Sequence, residues 1–275
     1  MRYLRIELKE KYCFLGEGKK NPLLRCYLPS NLEECNRQDE KRPSIVICPG
    51  GAYAFCSERE AEPIALKFAS WGFNAFVLNY SVAPNRYPTQ LREVAAVFEE
   101  LYKNADDWHC DTQKIGILGF SAGGHLAAHY SNAYGTDNVR KVFPNSKKPN
   151  FSVLCYPVIT ADPTFAHKGS IENLLGEYPV GKETDEFSCE KLVTADTPPT
   201  FIWHTAQDTA VPPKNSLCYA MALSENNIPF SLHIYPYGCH GLATVDSLTN
   251  GELDRKTLLA NEWFYELKKW MDNTI

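Results

Sequence analysis

Short, almost uninterrupted apolar runs recur along the chain, and stretches with helical spacing follow most of them. Leu23–Leu28, Ser44–Cys48, Asn74–Leu78, Ile115–Leu118, Phe151–Cys155, Thr200–His204 and Phe230–Tyr235 have the length and composition of strands. Thr89–Tyr102 instead repeats apolar residues at Leu91, Val94, Ala95, Phe98 and Leu101, a spacing that gathers them on one helix face. Glu62–Ser70, Ala122–Tyr134, Lys214–Glu225 and Leu259–Met271 are the other expected helices. Strands that are apolar throughout are buried on both faces, so the alternation predicts an α/β protein with a mostly parallel central sheet and helices on both sides. Such sheets hold their ligands just beyond the carboxyl ends of the strands. Residues 156–199 contain no clear strand and are rich in Pro, Gly and charge. They are expected to form a lid-like excursion from a single domain that spans 1–275.

Composition narrows the range of functions. The 275 residues are 44% hydrophobic, enough for a large core. Lys and Arg number 28 against 33 Asp and Glu, a net charge of −5 without a basic stripe, which argues against a nucleic-acid partner. No segment approaches the ~18 apolar residues of a membrane span. The opening MRYLRIELKEKYCF mixes charge with apolar residues, unlike a secretory leader. Ten cysteines include no C-x-x-C pair, so they are expected to be reduced core residues of a cytoplasmic protein.

The candidate chemistry lies in "GFSAGGHLAAHY", where Gly119-Phe120-Ser121-Ala122-Gly123 matches G-x-S-x-G between a strand and a helix. In that turn the serine is forced into unfavourable dihedrals, a strain proteins tolerate where function needs it. A helix N-cap is the structural alternative for Ser121. A serine hydroxyl cannot attack an ester unaided, so a base and an orienting carboxylate are required. His204 and His233 lie inside expected strands and His167 inside the excursion, whereas His240 follows the last strand in "YPYGCHGL" between Gly238 and Gly241. His240 is therefore the candidate base. His125, one helical turn after the serine, is expected to pack behind the site. Asp208 in "FIWHTAQDTAVP" follows the preceding strand and is the candidate acid; Asp162 and Asp196 precede that strand and Asp246 follows the histidine. The oxyanion formed on attack needs fixed N–H donors. Ala122 offers the amide after the nucleophile, and Gly51 and Ala52 in "SIVICPGGAYAF" offer bare backbone beyond an early strand. Tyr53, Tyr80 and Tyr156, each at a strand end, are candidate substrate contacts.

The assembled pattern resembles the α/β-hydrolase esterases, near the acetyl-xylan, feruloyl and hormone-sensitive-lipase-like branches, over roughly residues 40–245. PGGAY stands where relatives carry an HGGG-type motif. Asn79-Tyr80-Ser81-Val82-Ala83-Pro84 with Tyr87-Pro88 is similar to their Y-R-L-A-P…F-P segment, and HTAQDTAVP…CHGL to their acid and base motifs. Two departures stand out: Pro49 replaces the usual His, and no long helical cap precedes the first strands, which turns the expectation away from bulky lipid acyl chains. The resemblance implies the α/β-hydrolase fold, a Ser-Asp-His order of catalytic groups, and a carboxylesterase acting on small-molecule esters, acetylated oligosaccharides among them. It implies no cofactor and no metal. A prolyl-oligopeptidase-like peptidase and a hydrolase fold kept as a ligand receptor are the alternatives, and the oligomeric state is open.

Overall fold

The computed structural model describes residues 1–13, 15 and 22–275. Among the described residues eight strands form one sheet: β1 (Arg2–Glu7), β2 (Leu23–Leu28), β3 (Arg42–Cys48), β4 (Asn74–Asn79), β5 (Cys110–Phe120), β6 (Phe151–Cys155), β7 (Thr200–Thr205) and β8 (Phe230–Tyr235). Their order is β1-β2-β4-β3-β5-β6-β7-β8. From β4 through β8 every neighbouring pair is parallel, while β1 pairs antiparallel with β2 and β2 antiparallel with β4. The helices are α1 (Leu8–Lys11), α2 (Glu62–Ser70), α3 (Thr89–Lys103), α4 (Ala122–Ala133), α5 (Asp137–Arg140), α6 (Lys168–Leu175), α7 (Lys214–Glu225), α8 (Ser247–Asn250) and α9 (Trp263–Thr274).

Period-two alternation along the strands separates two cores. Val46 and Cys48 of β3 join Phe76, Ile117 and Ile202 in one, against Leu91 and Phe98 of α3, Leu126 and Tyr130 of α4 and Tyr219 of α7. Ile45 and Ile47 join Val77, Leu118 and Trp203 in the other, against Ile64 and Phe68 of α2 and Trp263 and Leu267 of α9. All five apolar positions of the α3 stripe are at most 1% exposed. Each large side chain among them contributes about 1.5–3 kcal/mol by leaving water.

The sequence expectation lacks the short helices α1, α5, α6 and α8 and starts β5 at Ile115 rather than Cys110, and two further elements differ from it. Residues 2–7 form an edge strand, held by its ladder with β2 while its side chains stay half exposed; Tyr3 packs on Tyr27 at 5.1 Å between ring centroids. The expected helix from Leu259 begins as a 3-10 turn over Thr257–Glu262 and becomes α-helical only at Trp263. The stretch 156–199 links neighbouring strands β6 and β7 and carries α6 with two 3-10 turns, Gly181–Phe187 and Cys189–Leu192.

Candidate active site

Ser121 sits between β5 and α4 with φ 53° and ψ −120°, in the left-handed half of conformational space. For a residue with a Cβ this costs on the order of 1–3 kcal/mol. Glycines make the turn sterically feasible. A Cβ on Gly119 would lie 2.0 Å from Gly123 O, and one on Gly123 would lie 2.1 Å from Cys48 O. The serine backbone is pinned on both sides, its N–H donating to Cys155 O (3.0 Å) and its carbonyl accepting from Val158 N (3.0 Å). The side chain caps no helix amide. Its hydroxyl meets His240 Nε2 at 2.8 Å instead.

His240 Nδ1 lies 2.6 Å from Asp208 Oδ2. A carboxylate only accepts, so Nδ1 carries the proton and Nε2 presents its lone pair to the serine hydroxyl. Asp208 is 4% exposed. Its Oδ1 accepts from the amides of Ala210 (3.0 Å) and Val211 (2.9 Å). Burial alone would raise the carboxyl, yet hydrogen bonds from His204 and His240 outweigh it and hold Asp208 well below the ordinary carboxylate range.

His204 is a neighbour of Asp208 that sequence reasoning missed. It is buried, as a strand residue should be, but its Nε2 lies 3.1 Å from Asp208 Oδ2 and 2.9 Å from Val211 O. Both partners are acceptors, so Nε2 donates to them and Nδ1 can accept the Ser216 hydroxyl at 2.8 Å. The available signal was alternation: His204 shares a strand face with Ile202, under α7, where a polar ring must find partners.

Gly51, Ala52 and Tyr53 run consecutively through positive φ, at 124°, 53° and 56°. This sharp loop brings Gly50 against Ser121, since a Cβ there would lie 2.9 Å from Ser121 Cβ. The Gly50 amide donates to Glu60 Oε2 (2.8 Å). The amides of Gly51, Ala52 and Ala122 have no acceptor among the described residues, which leaves them able to receive an oxyanion.

The three tyrosines do not form a substrate rim. Tyr53, Tyr80 and Tyr156 are 1%, 3% and 2% exposed. Tyr53 OH bonds His125 Nδ1 (2.9 Å), Tyr80 OH donates to Pro49 O (2.7 Å) and Tyr156 OH donates to Glu60 Oε1 (2.7 Å). Positive φ at Tyr53 and at Tyr156 (36°) departs from extended strand geometry, and both rings lie inside the fold. The rings brace the loops from behind. His125 also lies behind the site, its Nε2 donating to Phe187 O (3.0 Å).

The stretch from β6 to β7 reaches the same rim. Asn215 Nδ2 donates to Phe165 O (3.3 Å), and Asn173 Nδ2 of α6 donates to Ala52 O (2.9 Å). His167 between them caps α6, its Nδ1 accepting from Ser170 N (3.2 Å). Burial first, then the neighbouring His240, push His167 below the ordinary imidazole range. Among the described residues no three His, Cys, Asp or Glu side chains gather into a metal-binding group, and no helix is long and apolar enough to cross a membrane.

A parallel sheet with antiparallel strands at one edge, and a strained serine turn between β5 and α4, is the architecture of the α/β hydrolases. Solved structures align over nearly the whole chain. An acetyl ester-xyloside bifunctional hydrolase from Caldicellulosiruptor lactoaceticus is 35% identical, with a TM-score of 0.84 over 98% of this chain and 96% of that one. A carboxylesterase from Lactobacillus plantarum is 26% identical, with a TM-score of 0.84 over 99% and 98%. Residues 27–223 match the BD-FAE family, to which the chain belongs. That match contains Ser121 and Asp208 and stops short of His240. Among curated proteins, an endo-1,4-beta-xylanase B of Butyrivibrio fibrisolvens is 37% identical over 230 residues, and an acetylxylan esterase of Xylanibacter ruminicola is 32% identical over 224. These cover 80% and 78% of this chain, which spans only 35% and 42% of those proteins.

Proposed function

We propose that the chain is a serine carboxylesterase that removes short acyl groups, acetyl above all, from carbohydrates. The observation that carries this reading is the unbroken contact from Ser121 Oγ through His240 to Asp208, at 2.8 and 2.6 Å, beside amides without acceptors. His240 Nε2 takes the hydroxyl proton as Ser121 Oγ attacks the ester carbonyl. The carbonyl oxygen becomes an oxyanion held by the Gly51, Ala52 and Ala122 amides. Asp208 keeps the imidazole tautomer and stabilises the imidazolium without itself taking the proton. His240 then returns the proton to the departing alcohol oxygen, leaving an acyl-serine. Water, deprotonated by the same nitrogen, attacks that ester and releases the acid and the free serine.

A short acyl group is supported by the acetyl esters in the names of two similar proteins, and α6 bonds the Ala52 carbonyl directly at the same loop. A sugar alcohol is supported by the names of two similar proteins, an acetylxylan esterase and an acetyl ester-xyloside hydrolase. The purified chain is expected to release p-nitrophenol from its acetate ester and acetate from acetylated xylo-oligosaccharides. Ser121→Ala should lower both rates by about 10⁴-fold or more, the scale for loss of such a nucleophile. Equal rates in the two proteins, or cleavage of aminoacyl nitroanilides in preference to esters, would overturn the reading.

A further inference from the structure

Glu60 is 3% exposed, and no step of the hydrolysis above uses its carboxyl. It lies just before α2, and each of its oxygens serves a different loop. Oε2 accepts from Gly50 N (2.8 Å), the amide immediately before the candidate oxyanion donors. Oε1 accepts from Tyr156 OH (2.7 Å), and that hydroxyl itself accepts from Ala243 N (2.9 Å), three residues beyond His240. The Tyr156 ring also meets the His240 ring edge-on, with centroids 5.0 Å apart. One buried side chain therefore ties the loop that would bind the oxyanion to the loop that carries the base.

An ionised carboxylate accepts both bonds as they stand. Gly50 N–H and Tyr156 O–H are both donors, so each needs an acceptor oxygen, and a neutral acid or an amide presents a donor on one side. With a glutamine here, either Gly50 N–H would face an NH2 group or the Tyr156 proton would lose its acceptor. Steric fit is also close: a Cβ on Gly50 would lie 2.6 Å from Glu60 Oε2. Desolvation is the largest effect and pushes the Glu60 carboxyl above its ordinary range, while the bonds from Tyr156 and Gly50 and the nearby His240 offset part of it.

We propose that Glu60 is a positioning residue of the esterase site: its carboxylate sets the separation of the Gly50–Ala52 loop and the His240 loop. The donors are then in place for the oxyanion at the moment His240 holds the serine proton. This inference rests on the esterase reading, and a misplacement of about 1 Å is enough to cost roughly 100-fold in rate. It predicts an effect on kcat with little effect on KM, because the held groups act on the transition state rather than on the bound ester.

The test compares wild type, Glu60→Gln, Tyr156→Phe and the double variant. The readouts are p-nitrophenyl acetate turnover, the rate at which a fluorophosphonate labels Ser121, and the thermal midpoint. Glu60→Gln is expected to lower kcat and the labelling rate by about 100-fold, with KM within threefold of wild type on the same estimate. Tyr156→Phe, which keeps the ring and the Gly50 bond, should lose roughly tenfold, the scale of one hydrogen bond. The double variant should be no worse than Glu60→Gln alone, because both changes cut one linkage. Folded variants with kcat and labelling within twofold of wild type, or additive losses, would overturn the proposal. If Glu60→Gln does not fold, Tyr156→Phe decides by the same kcat and labelling criteria. A wild type that labels at Ser121 but turns over no ester would defeat the esterase reading alone, and the labelling ratios would still decide the role of Glu60.

Discussion

Two pairs of histidines lie near Ser121, and the pairs are built on opposite principles. On the β7–β8 side, Asp208 lies between His204 and His240, with every carboxylate oxygen bonded and the carboxyl held well below its ordinary range. On the α4 side, His125 and His129 lie among Tyr53, Tyr87 and Phe187, and the His129 ring is stacked within 6° of Tyr87. Burial pushes those imidazoles down to about 4 and about 3, so both are neutral near pH 7. The same residue type thus serves charge on one side and shape on the other. What separates the two is a buried carboxylate, not the histidine.

The comparison is broken most severely by removing that carboxylate's charge. Asp208→Asn offers an amide that can no longer fix the Nδ1–H tautomer of His240, and kcat is expected to fall by about 10⁴-fold with KM nearly unchanged. Steady-state kinetics on p-nitrophenyl acetate would check this, and a loss under tenfold would place the acid elsewhere. A smaller effect is expected from His204→Leu, which takes one donor from Asp208 and strands the Ser216 hydroxyl and the Val211 carbonyl. We expect about 1–3 kcal/mol lost from unfolding stability by denaturant titration, with kcat lowered about tenfold on the same scale. Unchanged values for both would reduce His204 to core filling.

The smallest effect belongs to the α4 side. His129 has a folded pKa below its unfolded value of about 6.5, so the unfolded chain binds more protons as pH falls below that value. Its burial therefore costs nothing above about pH 6.5 and progressively destabilises the fold as pH drops toward its folded value. His129→Phe keeps an aromatic ring on Tyr87 and removes the proton site. Between pH 7 and pH 5 the variant should gain about 2 kcal/mol relative to wild type, read as a widening gap in thermal midpoint. Its esterase rate should match wild type. A constant gap across that range would mean that the imidazole is solvated.

Much of this arrangement was legible in the chain. Strands buried on both faces appear as continuous apolar runs, which is why β3 to β7 stood out. The half-exposed β1 alternates charged and apolar residues and lacks that signal. The elbow is local, so its glycines reveal it, and strand ends point to Asp208 and His240. Other features depend on contacts that no local pattern encodes. Tyr53 and Tyr156 adopt positive φ and turn inward, against the expectation that strand-end aromatics form a rim. His204 and Glu60 meet partners 12 and 96 residues away.

The most direct test is to find where an acyl group rests during turnover. After p-nitrophenyl acetate is mixed with the protein and quenched in acid, peptide mass spectrometry should locate one acetyl group on the Ser121 hydroxyl. That group should vanish in Ser121→Ala and persist longer when Asp208 is replaced by Asn. Turnover with an unmodified Ser121 peptide, or acetyl retained at another side chain, would contradict the account.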